Sequence, residues 1–159
     1  MSVYGEDVEI TNIKVSNHAE KNGAVCVVKG SSVEGCDLRG SVVVEEGGTL
    51  LLKDSRVHHA AEPGVIVHGI ADLQDCIAEG GLKQGIVVRP TGKATISGTK
   101  VRRNGTNGVV VKGEATIKGS GVTANARAAS WPGRWTAARA SAPSATTSSA
   151  AATTRTTVR

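Results

Sequence analysis

Phenylalanine is absent from this chain of 159 residues, and Tyr4, Trp131 and Trp135 are its only aromatic residues. A core without rings must be built from Val, Ile, Leu, Ala and Thr. Sugar-stacking platforms, which need aromatic faces, come down to Tyr4 in the first 126 residues. Acids are missing from the end. All fourteen lie at or before Glu114, whereas five of the nineteen basic residues (Arg127, Arg134, Arg139, Arg155 and Arg159) follow residue 126. The other fourteen basic residues balance the acids, so the net charge of +5 belongs to the C-terminal segment. A basic surface that would draw nucleic acid or an anionic membrane is therefore not expected of the rest, and neither partner is assigned. No apolar run approaches the ~20 residues of a membrane span. Residues 1–7 show no basic and apolar leader, so a cytoplasmic location is expected. A phosphate-binding loop, a nucleophile elbow and a CxxC pair are all lacking.

What is present is a repeat. An aliphatic residue, two variable ones, a small residue, one variable and another small or aliphatic residue recur six times, led by Ile10, Val33, Leu52, Leu73, Ile96 and Ile117. A period near twenty residues marks one unit stacked on itself, because a single unit cannot bury its own apolar face. Between these motifs come Val-rich alternations at 42–44, 65–67, 86–88 and 109–111, with a weaker copy at 25–27. Period-two hydrophobicity bounded by Gly, Asn and Asp is strand grammar. Twenty residues without a helix are too few for a strand–helix–strand crossover. The expected fold is all-β: a parallel β-solenoid of about six coils over residues 1–126, rising ~4.8 Å per coil.

The Gly-Val-x-Val strands, the variable coil length and the Val-x-x-Asn turns at Val101–Asn104 and Val122–Asn125 resemble right-handed parallel β-helix proteins of the pectate-lyase-like superfamily. Similar repeats occur in polysaccharide lyases and hydrolases, in sugar-binding modules, and in actinobacterial proteins beside an AAA-type ATPase domain. The resemblance implies a fold more than a function. Under its lyase branch it would imply Ca2+; otherwise no cofactor is expected.

After Asn125 the grammar stops. Residues 127–159 are almost entirely Ala, Ser, Thr and Arg, with one Val at 158. Such a segment has too little apolar surface to fold alone, and disorder is expected. The composition also fits GC-rich DNA translated out of frame. Shifting the frame turns 127–131 into Gly/Arg, Gly/Arg, Val/Leu, Val/Leu and Ala, which is the missing strand. The tail is therefore read as a frameshift or truncation of a longer solenoid, against an ordinary low-complexity tail.

Stacked coils turn sequence columns into ladders. Cys26, Val43, Ile66, Val87 and Val110 should face outward as an apolar stripe, either a docking surface for a protein or neighbouring domain or a consequence of Val being a strong strand former. A second outward face carries Arg39, Arg56, His58, Lys100 and Arg102, which could meet an acidic polysaccharide or simply form a salt-laced surface. Catalysis, if present, would rest on Asp54 and Asp75, placed one rung apart at ~5 Å, or on His58 and Glu79, which are similarly adjacent to each other. That spacing suits a retaining glycosidase pair or part of a metal site. However, Asn12, Gly35, Gly98 and Gly119 fill the same slot in other coils, which is turn chemistry.

His18, His59 and His68 show no metal-ligand spacing and read as turn or surface residues. Cys36 and Cys76 share an inward column two rungs apart, ~9.6 Å, beyond disulfide reach; with Cys26 they read as small core residues. The sequence thus favours a non-catalytic scaffold or binding module over a polysaccharide-binding or polysaccharide-cleaving protein. Open solenoid ends at 108–111 and 117–122 should also promote self-association.

Overall fold

The computed structural model describes residues 2–3, 8–12, 14–16, 25–27, 30–130 and 134–138. Tyr4, His18, Trp131, residues 139–159 and the side chain of Cys26 lie outside the described residues, and so do the readings placed on them. Every described element is a strand. Three parallel sheets, A, B and C, run the length of a solenoid, with seven, seven and six strands. Each coil adds one strand to A, then B, then C. One coil is Val42–Val44 in A, Thr49–Lys53 in B and Arg56–His58 in C; the next is Val65–Val67, Ile70–Gln74 and Ile77–Glu79.

Register follows the sequence repeat. In sheet B, Ile10, Val33, Leu52, Leu73, Ile96 and Ile117 pair successively across the rungs. In sheet C the column is Val15, Leu38, Val57, Ala78, Val101 and Val122. Alternation buries every second residue in most strands, as in the buried–intermediate–buried pattern of Val65–Val67. The resulting core is aliphatic, with Val33, Leu38, Leu50, Leu52, Leu73 and Ile86 almost fully enclosed. Burying each such side chain is worth about 1.5–3 kcal/mol, and the stack sums these terms along one continuous axis.

Three corners join the sheets, and they differ in regularity. The B–C corner is always two residues: 35–36, 54–55, 75–76, 98–99 and 119–120. Its first residue is left-handed in every rung, with φ of 52° at Asn12, 63° at Gly35, 47° at Asp54, 52° at Asp75, 59° at Gly98 and 57° at Gly119. Gly, Asn and Asp are the residues that visit this region at least strain. Among the described corners, A–B alternates between four residues (45–48, 89–92) and two (68–69, 112–113), while C–A ranges from two (40–41) to six (59–64, 80–85).

Pairing runs past residue 126. Arg127–Ser130 pairs with the strand at 107–111, and Arg134–Ala138 with the strand at 114–118. The strand edges at 107–111 and 114–118, expected to be bare, are covered, because ladder hydrogen bonds use backbone groups that Ala, Ser and Arg also carry, while Gly121–Thr123 is the last strand of sheet C among the described residues, as expected. The register sets Ala129 against Val109 and Ser130 against Val110.

Candidate functional site

Sheet C carries the charged face. The residues singled out there sit in two outward columns: Asp37, Arg56, Ile77 and Lys100 in one, and Arg39, His58, Glu79 and Arg102 in the other. The structure brings three of them together, Arg56, Glu79 and Arg102. Glu79 is only 8 % exposed, and its two carboxylate oxygens are divided between guanidinium groups one rung below and one rung above. Arg56 Nε donates to Oε1 at 2.8 Å and Arg102 Nε to Oε2 at 2.7 Å. Burial alone raises the carboxyl pKa, but the hydrogen bonds and charges of Arg102 and Arg56 outweigh it and hold Glu79 below the usual carboxylate value. A carboxylate so held stays ionised and is a poor proton donor. Arg39 and Lys100 have no acidic partner within 4 Å among the described residues.

Asp54 and Asp75 belong to the B–C corner. Their backbone N–H groups donate to Gln74 O at 3.0 Å and Ser97 O at 2.9 Å, continuing the ladder through the turn. Asp75 lies across the next rung, where a Cβ built on Gly98 would fall 2.0 Å from its Oδ1. The Asp54 side chain is 3.9 Å from Lys53 Nζ. Among the described residues no three His, Cys, Asp or Glu side chains converge as a metal cage.

Behind Gly35, Asp54, Asp75, Gly98 and Gly119 lies a small side chain (Cys36, Ser55, Cys76, Thr99 and Ser120), and these also form a ladder. Ser55 Oγ accepts the Cys36 N–H at 3.1 Å and donates to Lys53 O at 2.7 Å. Thr99 Oγ1 accepts from Cys76 N–H at 3.4 Å, and Ser120 Oγ from Thr99 N–H at 3.2 Å. Cys36 and Cys76 fill the same slot as free, buried thiols. Burial pushes the Cys76 thiol up to about 11, so it stays protonated and unreactive at neutral pH. Size alone marked this column in the sequence; the hydroxyl-to-backbone bridging required the stacked coils.

The C–A corner holds features that composition did not single out. Asn104 is buried; its Oδ1 accepts the Gly81 N–H at 3.1 Å and its Nδ2 donates to Ala78 O at 3.1 Å and Asn125 Oδ1 at 2.9 Å. Asn125 repeats the arrangement one rung on, donating to Val101 O at 3.0 Å. The Val-x-x-Asn spacing was its visible signal. Lys83 pairs with Glu62 at 2.7 Å across the same corner, and Leu82 stands exposed. His58 and His59 touch through their Nδ1 atoms at 2.6 Å. Nothing in the spacing of two consecutive residues foretells that contact.

On sheet A, Cys26, Val43, Ile66, Val87 and Val110 do share one register column. Its rungs are not equivalent. Val43 and Ile66 are half-buried, whereas Val87 and Val110 are 4 % and 9 % exposed while lying outside the central core. Among the described side chains of the stripe, the surface open to water is therefore mainly that of Val43 and Ile66.

A family model described as the right-handed β-helix region matches residues 2–130. Comparison with curated proteins and with solved structures gave no match.

Proposed function

We propose, for a chain that belongs to the right-handed β-helix family, a non-catalytic role as a scaffold that offers its sheet faces to a protein partner or neighbouring domain. The observation that carries this reading is the Arg56–Glu79–Arg102 clamp. Glu79 is the one buried carboxylate among the described residues, and it bonds two guanidinium groups rather than awaiting a substrate. Asp54 and Asp75 are used as corner residues, and the apolar column of sheet A supplies a face at Val43 and Ile66.

Two measurements test the proposal. Polygalacturonate and alginate, with and without Ca2+, should yield no new reducing or unsaturated ends. Turnover lost in an Asp54→Asn/Asp75→Asn variant would overturn it. A photo-crosslinker placed at Ile66 should capture a defined partner that one placed at Thr95, on sheet B, does not; equal capture would count against a sheet A face.

A second reading is favoured by Arg39 and Lys100, which have no acidic partner among the described residues. These, with the outer edges of Arg56 and Arg102, would bind an acidic polysaccharide on sheet C. Salt-sensitive retention on immobilised polygalacturonate, abolished by Lys100→Glu, is its signature.

A further inference from the structure

His58 ends the strand Arg56–His58, and His59 opens the six-residue C–A corner. Successive side chains of a strand point to opposite faces. His59 escapes that alternation because its φ is +51°, and its ring returns to the side of His58. The rings meet edge to face, with centroids 4.9 Å apart and planes at 85°. Their Nδ1 atoms are 2.6 Å apart. On the far side of the His58 ring, Nε2 stands 2.6 Å from Asp37 Oδ1, one rung away. Both atoms are buried, and neither has another polar partner among the described residues. Two bare lone pairs at such a distance repel, so Nε2 carries a proton. Neutral His58 then presents an unprotonated Nδ1 towards His59.

Two imidazole nitrogens 2.6 Å apart, with one of the rings backed by a carboxylate, lie close to the arrangement metal-bound histidines adopt. We propose that His58 and His59 form a two-imidazole site for a divalent d-block cation, copper(II) or nickel(II), with Asp37 setting the His58 tautomer. Geometry selects the ion. At a metal–nitrogen distance of about 2.05 Å, cis ligands at 90° sit about 2.9 Å apart, and tetrahedral ligands about 3.3 Å apart. The pair needs to open by only ~0.3 Å for a tetragonal ion, and roughly twice that for tetrahedral zinc. His59 is exposed, so the ion enters from solvent, and water completes the coordination. The neighbouring carboxylate of Glu79 is already held by Arg56 and Arg102 and does not compete.

The test uses the full chain with a blocked amino terminus and His18 and His68 replaced by Ala, in a buffer that does not coordinate metals. Copper(II) should bind at one equivalent, with a spin-resonance spectrum reporting two imidazole nitrogens. Calorimetry with nickel(II) and zinc(II) should place both below copper, with zinc weakest. His59→Asn retains a residue that tolerates the left-handed corner, and His58→Gln retains a polar group; each should weaken copper at least tenfold. Asp37→Asn should weaken it about 10- to 100-fold. Copper binding unchanged in His59→Asn, a one-nitrogen spectrum, or zinc binding tighter than copper would each overturn the proposal. Circular dichroism confirms that the variants fold, so lost binding reports the site.

Discussion

The B–C and C–A corners perform the same geometric task, turning the chain between sheets, and both open on a positive-φ residue in every described coil (Gly40, His59, Gly80, Arg103 and Ala124 at C–A), yet they differ in how much the rest of the corner varies. The B–C corner has one length, one backbone conformation and one small polar residue behind it in every described coil, apart from the undescribed residue 13. The C–A corner changes length and composition from coil to coil. Where the coil is closed by backbone geometry, side chains are not free to vary, and Asp54 and Asp75 are there as corner formers. Where it is closed by a loop, side chains can diversify, and His59, Leu82, Lys83 and Asn104 do so. Chemistry particular to this chain should be sought at the second kind of corner.

Insertion gives the largest contrast. A Gly-Ser pair between Asp75 and Cys76 would displace the Cys76 N–H from Thr99 and the Lys100 N–H from Cys76 O. Each orphaned buried group costs about 1–3 kcal/mol, so the melting transition should fall by an amount equivalent to roughly 4 kcal/mol. The same pair between Leu82 and Lys83 only lengthens a loop and should cost below about 1 kcal/mol. Equal losses would break the distinction.

Next comes Asn104→Ala, which removes the variable corner's own fixed point. The Gly81 N–H and Ala78 carbonyl would lose their partners, destabilising the chain by about 3 kcal/mol. A loss under ~1 kcal/mol in a denaturant titration would mean that this corner has no such anchor.

The invariant corner can be graded within itself. Gly98→Ala meets both a left-handed φ and the Asp75 carboxylate, whereas Gly119→Ala meets open space. Expected losses are about 2 kcal/mol for the first and about 1 kcal/mol for the second. The double change Asp75→Ala/Gly98→Ala should recover part of the difference, and thermal melts would show it.

The smallest effect lies outside both corners, at Glu79. Its pKa is lowered in the fold, so its stabilisation is fully present above the unfolded value near 4.5 and is lost as pH falls through the folded value. Glu79→Gln should cost about 1 kcal/mol at pH 7, discounted because Arg56 and Arg102 are partly exposed. The gap between variant and parent should close below pH 4.5. A gap independent of pH would show that the clamp acts through packing.

Legibility in the sequence tracked how local each cause is. The columns from Ile10 to Ile117 and from Leu38 to Val122 were readable because alternation and turn residues are properties of a few adjacent positions. Asp54 and Asp75 were readable as corner residues for the same reason, since Gly and Asn occupy their slot elsewhere. The clamp was half readable: Arg56, Glu79 and Arg102 fell in neighbouring columns, yet nothing local shows that two guanidinium groups would turn onto one carboxylate. The burial of Val87 and Val110 was not readable, because an outward direction says nothing about what else packs there. The strands at 127–130 and 134–138 escaped a reading based on apolar content, because their pairing is carried by the backbone.

The sequence by itself determined that this protein is a right-handed β-helix, where each coil turns, and which residues line its core. Pleat alternation and left-handed corners are settled within two or three residues, so composition and spacing suffice. Only the tertiary structure decided which side chains meet: Glu79 with Arg56 and Arg102, Asn104 with Asn125, His58 with Asp37. Those partners lie 21 to 23 residues apart, and coil lengths vary between 19 and 23 residues along the sequence. Register between rungs therefore depends on how each loop absorbs the difference, and that is settled only when the coils close on one another.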